Sequence, residues 1–506
     1  MPEPPPADLP ASDLLQDVLA HAQRAPRSPA LIDARGRRTD YAALAHRIRA
    51  TAGGLRAHGL RPGDGVLFSI RPGPDALVVA LAVVAAGGTV VFADPGVGAE
   101  LFTRRAELAG ARWAAAESLL YAAAGLRPAR RWARRRGLLL PDYAALGVRH
   151  LRAGPWLPGV PRGALSARRL TGPPLDPAPD PDAPAVVIFT SGTTDRPRGV
   201  VHTLRTLSAG LGLLQQRCAL GPGDVVHTDQ LMLGLPALAG GACWSLPGTP
   251  LDPARYARGL VERRATHAFL VPADAARVLD VAPRWPGVRG VLLGAAPVVP
   301  ALLRRVRAAA PGADVLCIYG MTEAPPIAIA TAEEKLAHTG PGDLMGTPAA
   351  GVRVGAVDDE LVVEGPQVCP RYLGGPAHDR VRTGDLGRVD DAGRVLLLGR
   401  RKDMIIRGEH NIYPGLHEPR IAALPGVVDA LLVGLPDART GDEEVVLAVV
   451  LEPGAALDGV RAALGAVVPG SAFPDRVVAI DEVPRAGRTH KPDREALRKV
   501  VRCASR

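Results

Sequence analysis

Five apolar residues, Ala185, Val186, Val187, Ile188 and Phe189, run directly into Thr190, Ser191, Gly192, Thr193, Thr194, Asp195, Arg196, Pro197, Arg198 and Gly199. A short apolar run bounded by turn residues reads as a buried strand. The loop that leaves it brings four hydroxyls, two glycines and a Pro-Arg-Gly close within ten residues. Hydroxyl and amide donors beside a cation can wrap a polyphosphate and follow a leaving group. No Gly-Lys-Ser/Thr follows, which excludes the GxxxxGK[ST] nucleotide loop. Alone, the segment reads equally well as an ordinary surface turn.

Three further segments follow in order. Tyr319, Gly320, Met321, Thr322 and Glu323 come after the apolar run Val315, Leu316, Cys317 and Ile318. An aromatic at a strand end can stack on a flat base, a threonine can donate to a phosphate, and a glutamate can hold magnesium through oxygen. Arg382, Thr383, Gly384, Asp385 and Leu386 precede the sixteen residues 399–414, GRRKDMIIRGEHNIYP. A fixed carboxylate such as Asp385 can accept hydrogen bonds from a ribose diol. Near the end, residues 484–494 read PRAGRTHKPDR, a glycine-containing loop carrying Lys491.

These four segments together resemble the acyl-adenylating superfamily: acyl- and aryl-CoA synthetases, adenylation domains of nonribosomal peptide synthetases, and firefly-type luciferases. The likeness runs from about residue 30 to 498. It implies ATP-dependent activation of a carboxylic acid as an acyl-adenylate, followed by transfer to CoA, with ATP, Mg²⁺ and CoA as ligands. The implied ATP site is Thr190, Ser191, Gly192, Thr193, Thr194, Arg198, Gly294, Ala295, Ala296, Pro297, Tyr319, Gly320, Asp385 and Arg400. Lys491, Thr322 and Glu323 are implied as catalytic, Glu323 also as the metal ligand, and Lys402 as the hinge. Gly408, Glu409 and His410 would border the CoA region. His227, Met232 and Met321 would line the acyl pocket, where the apolar Leu231, Met232 and Leu233 suggest an aliphatic or aryl acid. A charged amino acid is not expected, since no aspartate that would grip an α-amino group stands out there, although Asp229 could be argued for.

The chain departs from the family pattern in places. Asp195 adds negative charge beside the phosphate loop, and Arg198 stands where lysine is usual. Glu409 and His410 replace the usual glycine and glutamate, and His490 replaces a glycine before the catalytic lysine. These departures leave other acceptors open: a β-lactone synthetase-like closure, suggested by Asp94, Pro95, Gly96, Val97 and Gly98, or loading of a carrier protein. A catalytically degenerate nucleotide-binding protein is the remaining reading. Against it, only four of the 61 Lys+Arg residues are lysine: Lys335, Lys402, Lys491 and Lys499. Two of the four fall at the hinge and catalytic positions, where a compact ammonium and a planar guanidinium are not interchangeable.

At 506 residues the chain exceeds one ordinary core. The formal charge of +10 invites a nucleic-acid reading. The arginines are spread along the chain, however, and the one dense run (Arg127, Arg130, Arg131, Arg134, Arg135, Arg136) reads as a solvated helix surface. No nucleic-acid partner is expected, and a basic surface would favour anionic ATP and CoA. Cys218, Cys243, Cys317, Cys369 and Cys503 show no metal or disulfide spacing. The first residues do not read as a signal peptide. The longest apolar stretch, 76–86, is shorter than the roughly 20 residues a membrane span needs. A cytoplasmic location is expected. Nothing in the pattern speaks to oligomeric state.

Residues 66–70, 76–86 and 89–93 read as strand, helix and strand of a parallel α/β unit. Residues 152–184 read as a Pro/Gly/Arg-rich surface excursion, 208–329 as a second α/β stretch, and 352–398 as a small β subdomain. The fold class expected is α/β: a large N-terminal domain (1–399) of α/β subdomains plus the small β subdomain, a hinge (400–402), and a small mobile α+β C-terminal domain (403–506).

Overall fold

A computed structural model describes residues 13–92, 95, 99–135, 140–190, 198–400, 403–407, 410–436, 443–468, 472–486 and 491–503, with backbone alone for 132–135, 400, 406, 410 and 411. The chain divides into two compact units. One comprises 1–269, 322–325 and 365–379, the other 270–321, 326–364 and 380–506.

The first unit is built on the expected parallel α/β arrangement. Strands Gly65–Ser69, Thr89–Phe92, Ala111–Glu117, Arg149–Ala153 and Pro184–Thr190 pair in parallel. The apolar run 76–86 forms the helix Pro74–Ala85, with proline in its first turn and Gly87 at φ +79° just beyond its end. Its apolar residues face all round because it is buried all round: Leu77, Val78, Val79, Ala82 and Val83 are all within 2% of complete burial. Each buried Val or Leu there contributes about 1.5–3 kcal/mol over leaving it in water.

Two expectations need correction. Residues 152–184 are not a mere surface excursion. Leu165–Ser166 adds a parallel edge strand, Ala167 and Leu170 are buried, and the amides of Gly172 and Leu175 donate to the carbonyls of Ala50 and Arg49. The physical reason is Gly53 and Gly54 on the helix Tyr41–Ala57. A Cβ on Gly53 would stand 1.9 Å from the Pro173 carbonyl oxygen, so only paired glycines let that backbone cross the helix. Nor is 352–398 one subdomain. Residues 365–379 belong to the first unit, where Arg371–Tyr372 pairs antiparallel with Arg198–Thr203.

In the second unit, Gly290–Gly294 and Asp314–Met321 pair in parallel. Asp343–Pro348, Val395–Arg400, Arg380–Val389, Glu360–Glu364 and Arg353–Val357 form successive antiparallel pairs. Toward the C-terminus, Val427–Pro436 pairs antiparallel with Glu443–Leu451, and Arg476–Ala479 adds in parallel. Helices Pro414–Ala422, Leu457–Leu464 and Arg494–Cys503 accompany this sheet. Among the described residues no helix is long and apolar enough to cross a membrane.

Candidate active site

The first unit supplies one group of candidate residues. Thr190 ends the strand Pro184–Thr190 and lies in register opposite Arg198 on the returning antiparallel strand Arg198–Thr203. The phosphate-loop residues Ser191, Gly192, Thr193 and Thr194, with Asp195, lie outside the described residues. The Arg198 guanidinium carbon sits 5.8 Å from the Tyr372 ring centroid, within cation–π range.

Tyr372 in turn donates its hydroxyl to Glu323 Oε1 at 3.2 Å. Burial pushes the Tyr372 phenol well above its ordinary range, and the Glu323 carboxylate adds to the shift, so the hydroxyl stays a donor. Glu323 is buried, and its carbonyl accepts the Cys369 amide at 2.8 Å. The preceding residue is held equally firmly. His202 Nε2 lies 2.7 Å from the Thr322 carbonyl and Nδ1 3.1 Å from Thr206 Oγ1. A carbonyl only accepts, so Nε2 carries the proton and donates, and Nδ1 accepts from the threonine. Burial lowers the His202 pKa, which keeps the ring neutral. The Thr322–Glu323 turn is thus pinned by an imidazole at one residue and a phenol at the next.

Among the described residues no group of three or more His, Cys, Asp or Glu could hold a metal ion. The donor set at Glu323 is one buried carboxylate, which fits magnesium: that ion binds through one or two carboxylates, water and substrate phosphates.

The second unit supplies another group. Tyr319 lies within the strand Asp314–Met321 and donates its hydroxyl to Asp385 Oδ2 at 2.8 Å. Two motifs 66 residues apart are thereby joined through side chains. Asp385 is 5% exposed, and its amide donates to Thr383 Oγ1 at 3.0 Å. Gly384, at φ +72°, donates its amide to the buried Glu360 Oε1 at 2.9 Å. Arg382 Nε donates to the other Glu360 oxygen at 2.8 Å. The Thr-Gly-Asp segment is therefore a fixed kink within the strand Arg380–Val389, with Arg400 in register opposite Asp385.

Gly294 ends its strand buried, and Ala295 and Pro297 follow exposed, with Ala296 between them half-buried. Lys491 is exposed at the start of the second arm of a short ribbon, opposite Ala486. Lys402, Gly408 and Glu409 lie outside the described residues, and only the backbone of His410 is described.

Of the acyl-pocket candidates, Met232 is half-buried on the helix Leu231–Ala239, and Met321 is half-buried at a strand end. His227 is a correction. It is 0% exposed, its Nδ1 lies 2.9 Å from Ser245 Oγ, its ring packs 4.6 Å from that of Tyr256, and its Nε2 faces Gly259. Burial and the nearby Arg263 push its pKa down to about 3. It is a neutral core residue of a strand, not a pocket wall.

Sequence reasoning missed His202, Tyr372 and Glu360. The signal for His202 was available: a polar ring inside the buried strand Gly199, Val200, Val201, His202 needs a partner. Tyr372 sits in a two-residue edge strand, which leaves no periodic trace.

The AMP-binding enzyme family model matches residues 18–373, and the model of the AMP-binding enzyme C-terminal domain matches 418–491. A 4-chlorobenzoate–CoA ligase of Arthrobacter is 32% identical over 360 residues, covering 64% of this chain and 67% of that protein. A feruloyl-CoA synthase of Amycolatopsis is 30% identical over 485 residues, 88% of this chain and 91% of that protein. Among solved structures, the amide bond synthetase McbA from Marinactinospora thermotolerans aligns with a TM-score of 0.80 at 26% identity. That alignment covers 97% of this chain and 100% of the other.

Proposed function

Because the chain belongs to the AMP-binding enzyme family, we propose that it joins a carboxylic acid to AMP at the expense of ATP and then passes the acyl group to CoA. The substrate carboxylate attacks the α-phosphorus, a P–O bond forms, the bond to the β-phosphate oxygen breaks, and pyrophosphate leaves. The thiol then attacks the acyl carbon, expels AMP and yields a thioester.

The chain's own contribution is positioning and charge stabilisation. The 190–194 loop and Arg198 hold the β- and γ-phosphates. Thr322 donates to the α-phosphate, with its backbone steadied by His202. Glu323, steadied by Tyr372, would hold a magnesium ion, which would neutralise phosphate charge. Asp385, aligned by Tyr319, accepts from the ribose, and Arg400 assists. Lys491 neutralises charge between the attacking carboxylate and the α-phosphate. Residues 403–506 then turn about Lys402, withdraw Lys491, and bring Gly408, Glu409 and His410 to the thiol path.

The observation that carries this reading is the Tyr319–Asp385 hydrogen bond, which organises a base-side aromatic and a ribose acceptor as one element. A second reading, with an acceptor other than CoA, is favoured by Glu409 and His410 at the family's CoA region and by the likeness to an amide bond synthetase.

ATP–pyrophosphate exchange with a panel of carboxylic acids tests the first step, and CoA or an amine added to the preformed adenylate separates the acceptors. Lys491→Ala should slow adenylate formation by about 10²–10³, the scale for losing one stabiliser of developing charge. It should spare thiolation of supplied adenylate, and equal losses in both steps overturn the alternating role of residues 403–506.

A further inference from the structure

The positive charge of this chain is concentrated. Residues 118–169 hold eleven arginines and a single acid, Asp142, a net +10. The rest of the chain holds 50 basic and 50 acidic side chains, so the whole excess of +10 resides in this one stretch. Arginines are spread along the chain in number, but outside these residues carboxylates match them.

All of the stretch belongs to the first unit. The helix Ser118–Gly125 leads directly into the helix Arg127–Arg135. Arg127, Arg130 and Arg131 are exposed, and among the described residues none has an ion-pair partner. The loop 154–159 lies along the first helix. A Cβ at Gly154 would be 3.3 Å from Ser118 Oγ, and one at Gly125 would be 3.3 Å from the Gly159 Cα.

Among the described residues of this ledge, three large apolar side chains face water. Leu119 is 61% exposed, Trp156 51% and Leu126 36%, whereas Trp113, Trp244 and Trp285 are each 1% exposed. Large exposed apolar groups in the same stretch as exposed Arg127, Arg130 and Arg131 have the composition of an interaction surface.

We propose that this ledge docks the protein on an anionic membrane surface. The arginines meet phosphate and carboxylate headgroups, and Leu119, Leu126 and Trp156 enter the boundary between headgroups and acyl chains. Cationic residues beside Trp and Leu have the chemistry of an interfacial binding surface, and a tryptophan ring is at home at headgroup depth. A soluble polyanion would engage the guanidinium groups but give two exposed leucines nothing to enter. The proposal is independent of the acid that the enzyme activates.

Co-sedimentation of the full chain with phosphatidylcholine vesicles, with and without phosphatidylserine, tests it. Binding is expected only to the phosphatidylserine vesicles, weakening as salt rises. Replacing three arginines (Arg127→Gln, Arg130→Gln, Arg131→Gln) should weaken partitioning by about a hundredfold, given roughly a decade or slightly less per cationic residue at such a surface. The pair Leu119→Ser and Trp156→Ser should weaken it about tenfold or more and abolish the blue shift of tryptophan emission on binding. Both variants should keep full adenylation activity and unchanged far-UV circular dichroism, which separates a docking defect from misfolding. Absence of binding, equal binding to both vesicle types, or binding unchanged by the Leu119 and Trp156 replacements overturns the proposal. The last outcome would assign the arginines to a nucleic acid or an acidic protein.

Discussion

Ala295 adopts φ +67°, a left-handed backbone that a Cβ disfavours. It is exposed, so no packing requires the methyl group. Ala295→Gly should therefore raise the midpoint of chemical unfolding by an amount worth about 0.5–1 kcal/mol, the relief of strain less the added freedom of glycine in the unfolded chain. A lower midpoint would mean that the methyl group supports the turn in some other way. At this scale the motifs told much. Tyr319 and Asp385 stand out in the sequence, and they are bonded. The sequence did not tell which groups hold the candidate site residues in place. His202, Tyr372 and Glu360 act through contacts with residues 120, 49 and 24 positions away, and nothing in local spacing encodes such partners. His227 misled for the converse reason. The family resemblance put it at a pocket, but its strand Val225–His227 is paired on both sides and both Val226 and His227 are fully buried.

Arg494, at the head of the helix Arg494–Cys503, ties several elements together. Its guanidinium donates to both oxygens of Glu418 on the helix Pro414–Ala422, at 2.7 and 2.8 Å, and to the Leu432 carbonyl at 2.6 Å. Its Nε lies 3.3 Å from Asp403. Arg494 and Glu418 side chains are only 14% and 15% exposed, so the pair is well removed from water. Removing one partner of such a pair strands the other charge at a cost of about 3–5 kcal/mol. Arg494→Met should accordingly shift the urea transition of the C-terminal part by that amount, and Arg494→Lys should recover only a fraction, because one ammonium cannot fork to two oxygens and a carbonyl. A shift below about 1 kcal/mol would place the stability of these elements in the apolar core instead. The elements themselves were largely legible. The strands flanking residues 76–86 follow from apolar runs bounded by Gly and Pro. The two-residue strands Leu165–Ser166 and Arg371–Tyr372 were not, because an edge strand that short has no period and is fixed by what it pairs with.

Across the whole molecule, titration of histidine should govern acid sensitivity. His21, His150, His202, His227 and His417 all have pKa values lowered from 6.5, chiefly by burial. Above pH 6.5 both folded and unfolded chains hold these rings neutral, and their stabilising contribution is complete. As pH falls through 6.5 the unfolded chain takes up protons that the folded chain refuses, so stability declines. The slope is about 1.4 kcal/mol per pH unit for each proton withheld. For His227 the loss continues until its folded pKa of about 3. Asp429, whose burial raises its pKa above 3.8, works the other way just above that value and flattens the acid end of the curve. The apparent thermal midpoint should therefore drop steadily between about pH 7 and pH 5, before the carboxylates titrate. His202→Gln keeps a donor for the Thr322 carbonyl but removes one titrating ring, and should reduce that slope by about one proton. A midpoint that stays level over the interval would mean that these rings take up protons in the folded protein. The neutral imidazole that steadies Thr322 would then be wrongly described.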